Sequence, residues 1–170
     1  MTLPESFERA FGTHDAYERD GDAFVLTTTR FDGRVTAADH ESHDWKLRYS
    51  VTVRAPMLST VANDQVGPAV EEGWFETYER RLEDAAGAVR ESVDVDDEVF
   101  ESDGDAVAVF EFEWGDADRA AEIATAFVEY AEGTYVEGVV PGYEYGDPVA
   151  SMLSQATQGE GDGSRGGTPL

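Results

Sequence analysis

Hydrophobic and polar residues alternate over residues 45–53, WKLRYSVTV. One face of this segment carries Trp45, Leu47, Tyr49, Val51 and Val53, and the other carries Lys46, Arg48, Ser50 and Thr52. A period of two is typical of an antiparallel strand with one buried face. Because Asp-Gly pairs at 20–21 and 32–33 suit hairpin turns, we expect three strands between residues 23 and 54.

Three other segments have apolar residues at helical spacing instead. A capping box formed by Thr2 and Glu5 predicts a short first helix. A central helix is predicted over residues 68–89, where apolar residues recur every three or four positions. Asp116 is placed to cap a further helix, which we expect to end at Gly133 because glycine favours helix ends.

A second hairpin completes the predicted fold. Its strands cover about 93–101 and 106–114 around an Asp103-Gly104 turn, and a short helix follows at about 148–156. The resulting order is α-β-β-β-α-β-β-α, an α+β fold in which helices cover one face of an antiparallel sheet of about five strands. This order is similar to that of type III secretion chaperones, an analogy of topology that carries little functional weight.

The chain is strongly acidic, with 37 acidic against 12 basic residues and a formal net charge of -25. Residues 1–157 are predicted to form one domain, and the glycine-rich residues 158–170 are predicted to be a disordered tail. Self-repulsion of this charge is largely screened in molar salt, so we expect a halophilic, cytoplasmic protein that needs high salt for stability. The alternative is an acidic mesophilic protein or a nucleic-acid mimic. We expect no membrane association, because no apolar run approaches the ~20 residues that span a bilayer.

Five segments carry a resemblance to a known family. They are TTTRFDGRVTA (27–37), VGPAVEEGWFETYERRLEDA (66–85), FEFEWGDADRAAEIA (110–124), FVEYAEGTYVEGVVPGYEYGDPVASML (127–153) and the closing GTPL. Together they resemble the haloarchaeal domain-of-unknown-function family 5813 over nearly the whole chain. The resemblance implies a haloarchaeal source, and it implies no activity, cofactor or catalytic residue.

Metal and nucleotide chemistry have weak candidates. His40 and His43 in DHESHD could bind zinc or nickel, but spacing supplies no third ligand, so a polar loop is the simpler interpretation. The glycines of the GxGxxG pattern at 161–166 have no room for the helix that a dinucleotide site requires. DVDDE at 94–98 lacks the glycine of a calcium loop and is interpreted as a charged strand edge. We therefore predict no catalytic residue, no metal and no cofactor.

One local cluster is basic. Five of the cationic residues fall within 25 positions, namely Arg30, Arg34, Lys46, Arg48 and Arg54. They could form a surface for an anion or an acidic partner. Alternatively, Lys46, Arg48 and Arg54, which alternation places on the outward face of one strand, could pair across the sheet with Glu111 and Glu113.

The segment from 133 to 147 is rich in glycine and tyrosine. Four glycines and Pro141 predict an irregular chain after Ala131, while Tyr135, Tyr143 and Tyr145 carry too much apolar surface to remain in water. An intramolecular strap, a homodimer or partner interface, and a ligand lid are the three interpretations.

These patterns favour a protein-binding or dimerising module over an enzyme. A small-ligand or nucleic-acid binder that uses the basic strand is the alternative, with nucleic acid disfavoured by the acidity. A metal-dependent enzyme is third.

Overall fold

A six-stranded sheet is the centre of the fold in the computed structural model, which describes residues 3–39 and 45–156. All neighbouring strands are antiparallel, in the order β1-β2-β3-β4-β6-β5. The strands are β1 (Tyr17–Asp20), β2 (Ala23–Leu26), β3 (Asp32–Asp39), β4 (Leu47–Pro56), β5 (Asp96–Ser102) and β6 (Asp105–Trp114). The α+β class with an open antiparallel sheet is thus confirmed.

Helices pack on one face of this sheet. They are α1 (Glu5–Gly12), α2 (Leu58–Val61), α3 (Pro68–Leu82), α4 (Ala117–Gly138) and α5 (149–156), with a short 3₁₀ helix at Ala85–Ala88. Residues of β4 that point toward the helices, such as Tyr49, Val51 and Val53, are fully buried. No helix within the described ranges is long and apolar enough to cross a membrane.

The first half of the sheet has one more strand than predicted. The turn at Asp20-Gly21 was predicted correctly, and Gly21 has a positive φ of 65° there. The turn predicted at Asp32-Gly33 is wrong, because both residues pair with β4 inside β3. A Cβ on Gly33 would lie 2.9 Å from Cγ1 of Val128, so this glycine lets α4 pack closely on the sheet.

The end of α4 also differs from the prediction. Asp116 caps the helix by accepting from two backbone amides, as predicted, but the helix passes through Gly133 and ends at Gly138. Thr134 and Tyr135 lie on its buried face. Burial of an aromatic side chain stabilises a helix by more than the ~1 kcal/mol that an interior glycine costs relative to alanine.

Two other helix boundaries were misplaced. α1 begins at Glu5 with Pro4 at its N-cap and no side-chain cap, whereas an N-cap at Thr2 was predicted; Thr2 itself lies outside the described residues. α3 ends at Leu82, before the 3₁₀ helix, although one helix was predicted over 68–89. His40, His43 and the predicted tail at 158–170 also lie outside the described residues.

The chain after α4 is an irregular segment, shorter than predicted, that lies against residues 61–64. The amide of Gly146 donates to the carbonyl of Val61 at 2.7 Å, and the amide of Asn63 donates to the carbonyl of Glu144 at 2.7 Å. α5 then returns to the core, where Val149 is fully buried. Residues 139–147 therefore form the intramolecular strap that was one of the three interpretations.

Candidate functional site

One face of the sheet is left open by the described helices. We use "open face" for the outward residues of β3, β4, β6 and β5. In β4 the inward residues are buried, while Arg48 is exposed and Ser50, Thr52 and Arg54 are half-buried. Period-two alternation therefore separates a packed inner face from an outer face that remains available for contact.

The charges on the open face are divided into two halves. β3 and β4 carry the three arginines Arg34, Arg48 and Arg54 together with one carboxylate, Asp32, which lies opposite Arg54, whereas the charged residues of β5 and β6 on this face are all carboxylates. The carboxylates of β5 and β6 are Asp96, Glu98, Asp105, Glu111 and Glu113. The sequence singled out the arginines, Glu111 and Glu113, and the charged edge at 94–98, but only the register of β5 on β6 places Asp96 and Glu98 on the same face as Glu111 and Glu113.

Each of the three arginines has a carboxylate partner. Arg48 donates to Oε1 of Glu113 at 3.2 Å, and Arg54 donates to Oδ2 of Asp105 at 3.1 Å and to the carbonyl of Ser102. Cross-strand pairing was one of the two sequence interpretations. Its predicted partner Glu111 is instead opposite Ser50 in the register.

Arg34 pairs outside these four strands. It donates to Oδ2 of Asp20 at 2.6 Å, and this hydrogen bond raises the pKa of the arginine above its usual value. The open face therefore has a basic stripe whose charge is partly neutralised by neighbouring carboxylates.

The remaining two basic candidates lie apart from each other. Lys46 holds its Nζ 4.7 Å from the ring centroid of Trp45. Arg30 is exposed near the other end of β3, and its backbone amide, like that of Phe31, donates to Oε2 of Glu132. Burial raises the pKa of Glu132, although these two hydrogen bonds act in the opposite direction.

Trp45 is exposed, contrary to the prediction that it shares the buried face of the strand. β4 begins only at Leu47, and 65% of the Trp45 side chain is accessible. Its ring lies over Gly115, where a Cβ would come within 2.9 Å of Cε3. The indole is therefore held against Gly115 and beside Lys46 at the edge of solvent.

A cleft of about 610 Å³ lies beside Trp45 at this end of the sheet. Its lining includes Trp45, Lys46, Arg48, Asp94, Asp96 and Glu111. Asp96 and Glu111 are directly opposite each other in the β5–β6 register. Like charges in opposed positions destabilise a sheet, so this end of the open face departs from the pairing that the fold alone would favour.

β5 is an edge strand, as the charged DVDDE segment indicated. Burial, and then the neighbouring Glu83, raise the pKa of Asp97. Among the described residues, no group of three or more histidine, aspartate or glutamate side chains is arranged to hold a metal ion.

The three tyrosines of the last segment have different environments. Tyr135 is fully buried in α4, and its hydroxyl donates to the carbonyl of Pro56 at 2.7 Å. It therefore belongs to the core and not to a surface. Tyr143 and Tyr145 are half-buried, with ring centroids 6.4 Å apart.

Comparison with known proteins gives one match. The model of a family described as "Family of unknown function (DUF5813)" matches residues 12–155. No curated protein and no solved structure matches the chain.

Proposed function

Because the chain belongs to a family of unknown function (DUF5813), we propose its function from its surface: it is a non-enzymatic module that binds protein through the open face. The observation that carries the proposal is this face itself, four strands wide and without a covering layer among the described elements. A sheet usually covers both apolar faces or exposes one polar face. Here the exposed face combines charged residues with half-buried small residues at its centre.

The centre of the face suits contact with another protein. Thr52 in β4 lies opposite Val109 in β6, Ser50 lies two residues before Thr52 on the same face, and all three are half-buried. Phe100 in β5 is 39% exposed and lies beside Val107 in the register. A polar rim around a less polar centre is the usual composition of a protein interface.

The charge pairs favour protein over nucleic acid as the partner. Phosphate binding needs cations that are free to replace counterions. Arg34, Arg48 and Arg54 already contact carboxylates, and the adjacent strands add further negative charge. A phosphate backbone would therefore meet repulsion on half of the open face.

A small-ligand site is the second candidate, and the cleft beside Trp45 supports it. Its volume of about 610 Å³ lies within the range of ligand pockets, and it joins an aromatic ring to charges of both signs. A zwitterionic ligand would match this lining better than a simple anion, because carboxylates outnumber cations there.

Three further expectations belong to the same proposal. We propose a haloarchaeal source and a cytoplasmic location, since the charge of -25 suits a salt-rich interior. We also propose, as a fold analogy only, a topology related to that of type III secretion chaperones, although the described chain has one strand more than the predicted order on which this likeness was based.

A matched pair of variants tests the binding role. Thr52→Lys places a long charged side chain at the centre of the open face, and Val70→Lys makes the same charge change on α3, where 37% of Val70 is exposed. Wild type and both variants are immobilised in ~2 M KCl, where long-range charge repulsion is screened, and exposed to lysate of the cells that produce the protein.

We expect one stoichiometric protein to be retained by wild type and Val70→Lys and lost by Thr52→Lys. Equal retention by all three contradicts a role for the open face. A small molecule in native mass spectra that disappears with Trp45→Ala would favour the second candidate instead.

A further inference from the structure

Building on the proposed function, we infer that the open face fits a second copy of this chain. The two sheets pack face to face about a two-fold axis that runs along the strands between β4 and β6. Such an axis places β4 on β6 of the partner subunit and β3 on β5 of the partner subunit. A two-fold interface uses the same patch on both copies, so the patch must be complementary to itself.

The division of charge on the open face gives this complementarity. Arg48 and Glu113 are register partners on β4 and β6, so the axis brings Arg48 onto Glu113 of the partner subunit and Glu113 onto its Arg48. Arg34 lies on β3, in a row of register partners that continues through Thr52 on β4 and Val109 on β6 to Glu98 on β5. The same rotation therefore brings Arg34 onto Glu98 of the partner subunit.

Two of these four residues have capacity for a contact with the partner subunit. Arg48 contacts Glu113 through one nitrogen, and more than half of its side chain remains exposed. A guanidinium has five N–H donors, so it can hold a second carboxylate from the partner subunit. Glu98 contacts no cation among the described residues and is exposed.

The available area reaches what a specific dimer needs. β3, β4, β6 and β5 are 8, 10, 10 and 7 residues long. With strands ~4.8 Å apart and ~3.3 Å per residue, the face measures roughly 19 Å by 27 Å, or about 500 Å² on each copy. The total of about 1,000 Å² is at the lower limit for a biological interface.

The edge of the sheet is a poorer route to a dimer. Pairing of two β5 strands would bring together two copies of Asp96, Asp97, Glu98 and Glu101. Like charges on paired strands destabilise the ladder. The open face avoids this conflict because it opposes unlike charges.

Salt has different effects on the long-range repulsion between the two chains and on the short-range ion pairs of the interface. Each chain carries -25, and the repulsion between two chains acts over tens of ångströms. In ~1 M salt the Debye length is ~3 Å, so this repulsion is removed, while pairs within the interface are screened much less. We therefore expect the dimer to form in molar salt and to dissociate in dilute buffer.

Light scattering coupled to size exclusion tests the inference with two charge-reversed proteins. One carries Arg34→Glu and Arg48→Glu, and the other carries Glu98→Arg and Glu113→Arg. In ~2 M KCl, a salt concentration at which screening is nearly complete, wild type should show twice the chain mass of 18.6 kDa. Each reversed protein alone should show the mass of one chain, and an equimolar mixture should regain the doubled mass.

Three results overturn the inference. They are a single-chain mass for wild type in molar salt, a doubled mass for either reversed protein alone, and a mixture that stays monomeric although circular dichroism shows both components folded. Failure of self-association does not by itself overturn the proposed function. If wild type captures a different protein and Thr52→Lys does not, the open face binds protein even though it does not form a dimer.

Discussion

Replacement of Gly133 by alanine tests where α4 ends. Gly133 lies within α4, it is exposed, and a Cβ built there meets nothing within 4 Å. Alanine is favoured over glycine in a helix interior by ~1 kcal/mol, because glycine loses more backbone freedom on folding. Gly133→Ala should therefore raise the free energy of unfolding by about 0.5–1 kcal/mol.

The melting temperature gives the readout. For a chain of this size 1 kcal/mol corresponds to a shift of ~2–4 °C, so Gly133→Ala should melt ~1–4 °C above wild type. Gly73→Ala in α3 is the matched control, since a Cβ at position 73 also meets nothing within 4 Å. Gly33→Ala should instead destabilise by ~1–3 kcal/mol, because its Cβ would overlap Val128.

Thermal melts by circular dichroism at fixed high salt compare the three variants. If Gly73→Ala stabilises the protein and Gly133→Ala destabilises it, the helix ends at Gly133, as the sequence alone indicated, and the placement of Tyr135 in α4 is refuted.

Three further predictions concern the pH dependence of stability, the Arg48–Glu113 ion pair and the effect of salt. Since burial raises the pKa of Glu132, its folded state holds the proton more tightly, and the chain loses stability as the pH rises through that pKa. Glu132→Gln should flatten this loss in pH-dependent melts while keeping an acceptor for two backbone amides, whereas Glu132→Ala should cost ~1–3 kcal/mol; equal melts for both would contradict it. A double-mutant cycle of Arg48→Glu with Glu113→Arg in the monomer, in dilute buffer, should give a coupling below ~1 kcal/mol, because the pair is exposed, and a larger value would mean that the pair is desolvated. The midpoint of thermal unfolding should be markedly lower in ~0.1 M than in ~2 M KCl, and coincident melts would exclude charge repulsion as the main destabilising term.

Patterns with one physical meaning were predicted well. Period-two alternation at Leu47, Tyr49, Val51 and Val53 specifies which face of β4 is buried, so the sequence located this strand. Asp116 was identified as a cap because a short carboxylate before an apolar helical repeat has few other roles.

Glycine gave two of the errors, because the structural role of a glycine depends on residues that are distant in the chain. Gly33 has the sequence appearance of a turn, but its lack of a side chain makes room for Val128, 95 positions later in the chain. Gly133 has the appearance of a helix end, but its neighbour Tyr135 reaches the carbonyl of Pro56 and keeps the helix intact. Neither contact leaves a signal in the local sequence.

The sequence predicted only part of the candidate site, for a related reason. Arginines stand out in an acidic chain, so the basic stripe was visible, whereas the carboxylates at 94–98 were recognised only as a charged edge and not as neighbours of Glu111 and Glu113. The register that places Asp96 opposite Glu111 comes from tertiary pairing of β5 with β6. Trp45 was assigned to the buried face because alternation continued one residue pair beyond the start of the strand.

Two similarly exposed residues on opposite sides of the molecule show whether binding occurs through the open face. Phe100 is 39% exposed on the open face, and Val70 is 37% exposed on the helical layer. Hydroxyl-radical footprinting with mass spectrometry measures the oxidation of each residue in the complex that forms in ~2 M KCl and in the unbound chain, with repulsion screened in both. Oxidation of Phe100 should fall in the complex, because the open face is then covered, while oxidation of Val70 should not change. Protection of Val70 with unchanged oxidation of Phe100 would contradict binding through the open face.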